Sequence, residues 1–180
     1  MRILKEQSAF LLIDVQEKLF SHMAEKEHLL ERMNILVEGL VTLNIPGVVT
    51  EQYRKGLGPT LPVLQEKVSH IPLLEKMSFS CCDDPPIMGK LKSLNKPFVI
   101  LAGIETHVCI LQTAIDLKNC GMTPVVVADA VSSRHLNDKE IALRRVIHEG
   151  GIVTTVESLL FELVRFAGTD VFKTISKLVK

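Results

Sequence analysis

Short apolar runs alternate with longer stretches of mixed polarity along this sequence. The runs are rich in Val, Ile and Leu and cover residues 9–14, 45–50, 97–103, 123–130 and 151–156. A strand that is buried on both faces, as in a parallel sheet, shows this near-continuous apolar pattern rather than a strict alternation. We therefore predict a parallel strand at each of the five runs.

The stretches between the runs have helical periodicity. Residues 24–44 place apolar side chains every three or four positions, and residues 107–121 and 138–151 follow the same spacing before ending at a glycine. This spacing is typical of amphipathic helices, and a glycine suits the position just after a helix. Alternating strands and helices predict an α/β fold: a doubly wound, mainly parallel sheet with helices on both faces, in a Rossmann-like three-layer sandwich.

The segment 51–96 departs from this pattern. It contains most of the prolines and shows no clear period before a predicted short helix at residues 86–95. We interpret it as a long excursion that could cover a site at the ends of the strands. Because the sequence shows no linker and no internal repeat, we expect a single domain over residues 1–180.

Composition narrows the classes of function. Hydrophobic residues make up 47% and charged residues 23% of the chain, and 21 basic residues balance 21 acidic ones. A neutral chain has no basic field for phosphate backbones, and no apolar run has the length of a membrane span, so we expect no nucleic-acid or membrane partner. The four cysteines form no CxxC pair, which argues against structural zinc and favours free thiols in a cytoplasmic protein.

Polar residues at the carboxyl ends of the predicted strands are the first candidates for chemistry, because ligands bind at that edge of an open parallel sheet. Asp14 ends the first run, Thr50 ends the second, Asp129 lies at the end of the fourth, and Cys109 begins the helix after the third. A thiol in the first turn of a helix lies near unpaired N–H groups, which favour thiolate and can stabilise an oxyanion. The plainer alternatives are a packing cysteine for Cys109 and a turn residue for Asp14.

Four segments resemble the isochorismatase-like cysteine hydrolases, a family that includes nicotinamidase and N-carbamoylsarcosine amidase. They are AFLLIDVQEKLF (9–20), EKMSFS (75–80), LAGIETHVCILQTAIDL (101–117) and, more loosely, VVVADAVSSR (125–134). The resemblance implies a catalytic triad of Asp14, Lys76 and Cys109, in which the aspartate accepts the thiol proton and the lysine supports the charged pair. It also implies an oxyanion hole from the backbone N–H groups of Glu105 and Cys109, and a cis peptide bond between Ile104 and Glu105.

One feature departs from the nicotinamidases in this family. Those enzymes have a metal-binding aspartate–histidine cluster after the second strand, whereas residues 48–58, VVTEQYRKGLG, contain no histidine. We therefore expect no metal and no cofactor. Gln52, Tyr53 and Phe79 lie in the excursion beside the strand ends and are our candidates for contacts with the substrate.

The predicted function is hydrolysis of a C–N bond of amide or ureide type, or of a related acyl bond, in a small molecule through a thioester on Cys109. The alternative is a scaffold or regulatory protein on the same fold with little turnover. A dinucleotide-binding reductase is disfavoured, because GLG at 56–58 lacks the third glycine of the fingerprint. Since the family commonly self-associates, we expect a homo-oligomer. The apolar residues of 171–180 either form part of its interface or pack on their own domain.

Overall fold

Six strands form one sheet in the computed structural model, which describes all residues from Met1 to Lys180. The strands are β1 (Ser8–Ile13), β2 (Gly47–Gln52), β3 (Leu73–Lys76), β4 (Phe98–Ile104), β5 (Thr123–Ser132) and β6 (Ile152–Thr154). They lie in the order β3-β2-β1-β4-β5-β6, and every adjacent pair is parallel. The chain therefore builds outward from β1 in both directions, which is the doubly wound arrangement predicted from the sequence.

Helices cover both faces of this sheet. They are α1 (Glu17–Phe20), α2 (Lys26–Thr42), α3 (Arg54–Leu57), α4 (Pro62–Lys67), α5 (Pro85–Leu94), α6 (Leu111–Asn119), α7 (Leu136–His148), α8 (Val156–Val164) and α9 (Asp170–Leu178). A π-helical turn, Thr106–Ile110, leads directly into α6, and 3-10 turns lie at Lys5–Gln7 and Cys81–Asp83. None of the helices has both the length and the apolar character needed to cross a membrane.

Two apolar cores lie on opposite faces of the sheet. Along β1, Phe10 and Leu12 join the core that includes α2 and α8, whereas Leu11 and Ile13 join the core that includes α5, α6 and α7. Every residue of β1 is buried. Because both faces of the strand are covered, the successive side chains from Ala9 to Ile13 are all apolar, and this explains the continuous apolar runs in the sequence.

The predicted α/β class is confirmed, but the interpretation of segment 51–96 as an excursion was wrong in part. The segment contains β3 as well as α3, α4 and α5. β3 is only four residues long, LLEK, and Lys76 is its one buried residue. β3 is a strand because it pairs with β2, and this pairing sets Gln52 beside Lys76. No apolar run predicts β3 from the sequence.

The C-terminal helix α9 packs on its own chain. Ile175 is fully buried, and Leu178 and Val179 lie against the core that includes α2 and α8. Packing on the same domain was one of the two alternatives for the stretch 171–180. These apolar residues therefore have a structural role without any second copy of the chain.

Candidate active site

The carboxyl ends of β1, β2, β3 and β4 meet at one edge of the sheet. Ile13 at the end of β1 pairs with Thr50 of β2 on one side and with Gly103 of β4 on the other. Gln52 of β2 pairs with Lys76 of β3. This register brings the residues that follow β1 and β4 into reach of the last residue of β3.

The side chains of Asp14, Lys76 and Cys109 come together at this edge. Lys76 Nζ donates a hydrogen bond to Asp14 Oδ2 at 2.7 Å and lies 3.8 Å from Cys109 Sγ. The Lys76 and Asp14 side chains are completely buried, and Cys109 is only 5% exposed. A buried ion pair beside a thiol is an arrangement that can accept and return a proton.

Asp14 is held through both its backbone and its carboxylate. Its φ of 55° lies in the left-handed region, which Asp tolerates better than most residues, and its N–H donates to the Thr50 carbonyl at 3.1 Å. The Thr50 hydroxyl donates to Asp14 Oδ1 at 2.7 Å. Sequence reasoning noted Thr50 as a strand-end residue but assigned it no role. The only sequence signal for Thr50 is its place at the end of the apolar run VVT. The register of β2 against β1 is what brings its hydroxyl to Asp14.

Gly103 allows β4 to approach β1 closely just before the site. Its φ is 132°, and a Cβ at this position would lie 2.1 Å from the carbonyl oxygen of Ile13. Any side chain would therefore force the backbone of β1 away immediately before Asp14. The close approach of the β1 backbone thus explains why the LAGIE segment has a glycine at this position.

Burial controls the acidity of the Cys109 thiol. Removal from water raises its pKa, the charge of Asp14 and a hydrogen bond to that carboxylate raise it further, and Lys76 lowers it only in part. The thiol is therefore protonated at rest and directed toward Asp14. The N–H groups of the turn and the Lys76 cation favour the thiolate, but desolvation and the charge of Asp14 outweigh them.

Lys76 keeps its positive charge in this buried setting. Burial by itself acts to lower its pKa, but the charge of Asp14 opposes that effect, and the net pKa is raised above the ordinary value. The ammonium therefore stays protonated. It supplies a fixed positive charge within the site.

The peptide bond between Ile104 and Glu105 is cis and stands just before the π-helical turn that carries Cys109. The Glu105 carboxylate accepts hydrogen bonds from the N–H and Nε of Arg134 at 3.0 and 3.1 Å, and the Glu105 carbonyl accepts from the Ile110 N–H at 3.2 Å. Glu105 is thus anchored through its side chain and its carbonyl. The oxyanion-hole role of the Glu105 and Cys109 N–H groups stays a prediction.

The three predicted substrate contacts lie in two different settings. Tyr53 and Phe79 are 46% and 56% exposed and lie at the surface beside the site, where contact with a substrate stays a prediction. Gln52 lies within the site, but its side chain binds protein groups: its Oε1 accepts from Lys76 and its Nε2 donates to the Met77 carbonyl. Its carboxamide is therefore already engaged before any substrate binds.

An open depression of about 480 Å³ lies beside Lys76. Acidic residues dominate its lining, which comprises Glu75, Lys76, Met77, Ser78, Asp83 and Asp84. No group of three His, Cys, Asp or Glu side chains in the structure is arranged to hold a metal ion. The lining of this depression carries more acidic than basic side chains, whereas the composition of the whole chain is neutral.

Comparison with known proteins identifies the family of this chain. Residues 8–158 match the family described as the Isochorismatase domain. The chain belongs to the isochorismatase family. It is 37% identical to the secreted isochorismatase effector Isc1 of Phytophthora sojae over 185 residues, which cover 99% of this chain and 87% of that protein.

Solved structures of other proteins share the whole architecture. The MAR1 ribonuclease from Caenorhabditis elegans is 39% identical with a TM-score of 0.93, over 99% of this chain and 92% of that one. The YcaC gene product of Escherichia coli, described as an octameric hydrolase of unknown specificity, is 23% identical with a TM-score of 0.94, over 99% and 90%. The predicted family and fold are therefore confirmed.

Proposed function

We propose that this isochorismatase-family protein hydrolyses a C–N bond of amide or ureide type, or a related acyl bond, in a small molecule, with Cys109 as the nucleophile. The observation that carries the proposal is the contact of Lys76 with both Asp14, at 2.7 Å, and Cys109, at 3.8 Å. A cysteine nucleophile that is protonated at rest requires an adjacent base and a charge that holds that base in place. Asp14 and Lys76 supply these two functions.

In the first step, the Cys109 sulfur attacks the substrate carbonyl carbon as its proton passes to Asp14. A C–S bond forms, and the carbonyl π bond opens to an oxyanion that faces the backbone N–H groups of Glu105 and Cys109. Each oxyanion donor of this kind typically lowers the barrier by about 3 kcal/mol. Lys76 keeps the carboxylate oriented while the proton moves.

In the second step, the tetrahedral intermediate collapses and the C–N bond breaks. Asp14 returns its proton to the leaving nitrogen, which departs as ammonia or an amine and leaves a thioester on Cys109. Water then adds to the thioester with Asp14 again as the base, the C–S bond breaks, and the sulfur regains a proton. One water is consumed, and one acid and one amine are released.

A screen of small amides and ureides for ammonia release tests this function. With any substrate found, we expect turnover in the wild type to survive a chelator and turnover in Cys109→Ala to fall to background. Acid-quenched wild type should carry the acyl group on Cys109 by peptide mass spectrometry. Turnover that persists in Cys109→Ala would exclude the thioester route. Absence of turnover across the screen would favour the scaffold alternative.

Ribonuclease activity is the second candidate, because the C. elegans protein of 39% identity is named a ribonuclease. The setting of the site disfavours it for this chain. Glu75, Asp83 and Asp84 line the depression beside Lys76, so a phosphate backbone meets repulsion there, and with a formal net charge of zero the chain has no overall excess of basic residues to attract it. RNA cleavage that is present in wild type and absent in Cys109→Ala would replace the amide proposal.

We also propose that the chain forms a homo-oligomer, as its octameric relative YcaC does. Large apolar side chains support this assembly, since Met77 and Phe79 are 69% and 56% exposed beside the site, and Ile141 and Ile147 of α7 are 55% and 58% exposed. Analytical ultracentrifugation at micromolar concentration should show a species heavier than the 20.0 kDa chain. A 20 kDa species alone would contradict the assembly.

A reducing compartment such as the cytoplasm is the location that we propose. All four cysteines are free thiols in the structure, and Cys81 and Cys109 are buried. The relative from Phytophthora sojae is named as secreted, so the location of this chain needs its own measurement. Fractionation of source cells should recover the protein with cytoplasmic markers, and recovery from the medium would contradict the proposal.

A further inference from the structure

The Lys76 ammonium has more acceptors around it than protons to donate. Four oxygens lie within 3.2 Å of Nζ: Asp14 Oδ2, Gln52 Oε1 and the carbonyl oxygens of Ser78 and Phe79. An ammonium has only three protons, and the two shortest contacts, both 2.7 Å, are those to Asp14 and Gln52. Cys109 Sγ is farther away, at 3.8 Å. Lys76 therefore acts on the sulfur mainly through its charge, so the position of that charge matters.

Gln52 is built to hold that position. Its side chain links two parts of the site, because Oε1 accepts from Lys76 at 2.7 Å and Nε2 donates to the Met77 carbonyl at 2.8 Å. Its backbone is clamped by the fully buried Gln16, whose Oε1 accepts from the Gln52 N–H at 2.7 Å and whose Nε2 donates to the Gln52 carbonyl at 3.0 Å. Both the backbone and the side chain of Gln52 are thus fixed.

We propose that Gln52 is a positioning residue that holds the Lys76 ammonium at its distance from Cys109, rather than a residue that binds the substrate. The proposal rests on the proposed function for its catalytic meaning, but the geometry can be tested without any substrate. A carboxamide suits this task because it accepts a strong hydrogen bond and adds no charge. The titratable groups that act on Lys76 are Asp14, Cys109 and Cys81, and an added charge would disturb the balance among them.

Two nearly isosteric substitutions separate the hydrogen bond from the charge. Gln52→Glu places a carboxylate against Lys76, which opposes ionisation of Cys109, so alkylation of Cys109 at pH 7 should slow about tenfold. Gln52→Met removes the acceptor and releases the Met77 carbonyl, so the ammonium loses one of its two shortest contacts. Alkylation of Cys109 should then slow about threefold or more. Both curves of rate against pH should be displaced to higher pH.

The experiment measures iodoacetamide labelling of Cys109 by peptide mass spectrometry between pH 6 and 10. A Cys120→Ser background removes the one exposed thiol. Gln112→Glu is the matched control, because it adds the same charge three residues from Cys109 at an exposed position and should leave the curve unchanged. Thermal denaturation of each variant verifies folding.

Displacement of both Gln52 curves supports the proposal. A Gln52→Met curve that superimposes on the wild-type curve overturns the proposal. This holds even if the Gln52→Glu curve moves, because that shift would then come from the added charge and not from loss of the hydrogen bond to Lys76. Unchanged curves for both variants, together with a raised KM for a substrate once known, would return Gln52 to substrate binding. Because labelling does not need turnover, failure of the hydrolase proposal and failure of this one are distinguishable.

Discussion

Asp14 and Asp129 are two acidic residues toward the carboxyl ends of parallel strands, and each pairs with a basic side chain. Asp14 binds Lys76 at 2.7 Å, and Asp129 binds Arg32 at 3.1 Å. The side chain of Asp14 is fully buried, while that of Asp129 is 23% exposed. The pattern of strand ends alone gives the two residues equal standing as candidates for chemistry.

Their remaining partners distinguish them. The second oxygen of Asp14 accepts from the Thr50 hydroxyl, and a thiol lies beside the same ion pair. The second oxygen of Asp129 accepts at 2.8 Å from the N–H of Val156, the first residue of α8. Asp129 therefore attaches a helix to β5. A strand-end carboxylate becomes a plausible base only where a nucleophile shares its cation.

The cavity beside Asp129 strengthens this contrast. It has a volume of about 270 Å³ and includes His28 and Lys139 in its lining, but no cysteine. Burial lowers the pKa of Lys139 there, and the charges of Glu25 and Asp129 oppose that effect. This region contains several charged groups but no thiol that a base could activate.

Neutralising each aspartate should have the largest difference in effect. Asp14→Asn removes the proton acceptor for Cys109 and should lower kcat by about 10³-fold. Asp129→Asn keeps an oxygen acceptor for the α8 backbone and should change kcat by less than about threefold. The kcat of each variant would be measured with a substrate from the amide screen, after circular dichroism shows native helix content. Equal losses in the two variants would remove the distinction between the two regions.

Removing each cation should affect the free energy of unfolding to different extents. Lys76→Met leaves the Asp14 carboxylate buried without its ionic partner and should destabilise the protein by about 3–5 kcal/mol. Arg32→Met breaks a pair whose side chains are 16% and 23% exposed, so we expect a loss of about 1 kcal/mol. Urea unfolding at pH 7 measures both values. A smaller loss for Lys76→Met than for Arg32→Met would contradict the burial argument.

Alkaline pH should destabilise the site through its buried thiols. Burial raises the pKa of Cys81 from 9.0 to about 12, so the folded protein keeps this proton while the unfolded chain releases it above pH 9. The contribution of the Cys81 proton to the free energy of unfolding is therefore fully present below pH 9 and is lost as the pH rises toward 12. The Cys81 contribution should be about 2 kcal/mol between pH 9 and 11. Urea midpoints of Cys81→Ala should show a flatter pH dependence, and those of the exposed Cys120→Ala should follow the wild type.

Two threonines allow the smallest and most specific comparison. Thr50→Val removes the hydrogen bond to Asp14 Oδ1 and should lower kcat about tenfold, with a stability loss of about 1 kcal/mol. Thr155→Val removes the side-chain cap of α8, in which Thr155 Oγ1 accepts from the Ser158 N–H, and should lower stability by about the same amount. Its kcat should be unchanged. An unchanged kcat in Thr50→Val would show that Asp14 needs no second partner.

Local sequence by itself determined the fold class and part of the site. Continuous apolar runs predicted strands buried on both faces, and three-and-four spacing predicted α2, α6 and α7 to within a few residues. Asp14 and Cys109 became candidates through local signals, because Asp14 ends an apolar run and Cys109 lies at the start of a helical stretch. Their signals are local, because strand ends and helix starts are defined by a few neighbouring residues.

Tertiary structure alone decided how those residues are used. β3 was not predicted, because four residues become a strand only through their pairing with β2, and that pairing places Lys76 against Gln52. The partners Thr50 and Gln52 depend on register across strands, which no local pattern contains. The protonated state of Cys109 follows from burial beside Asp14, 95 positions earlier in the chain. Strand register and desolvation depend on residues from the whole fold. The protonation state of the site therefore cannot be predicted from local sequence.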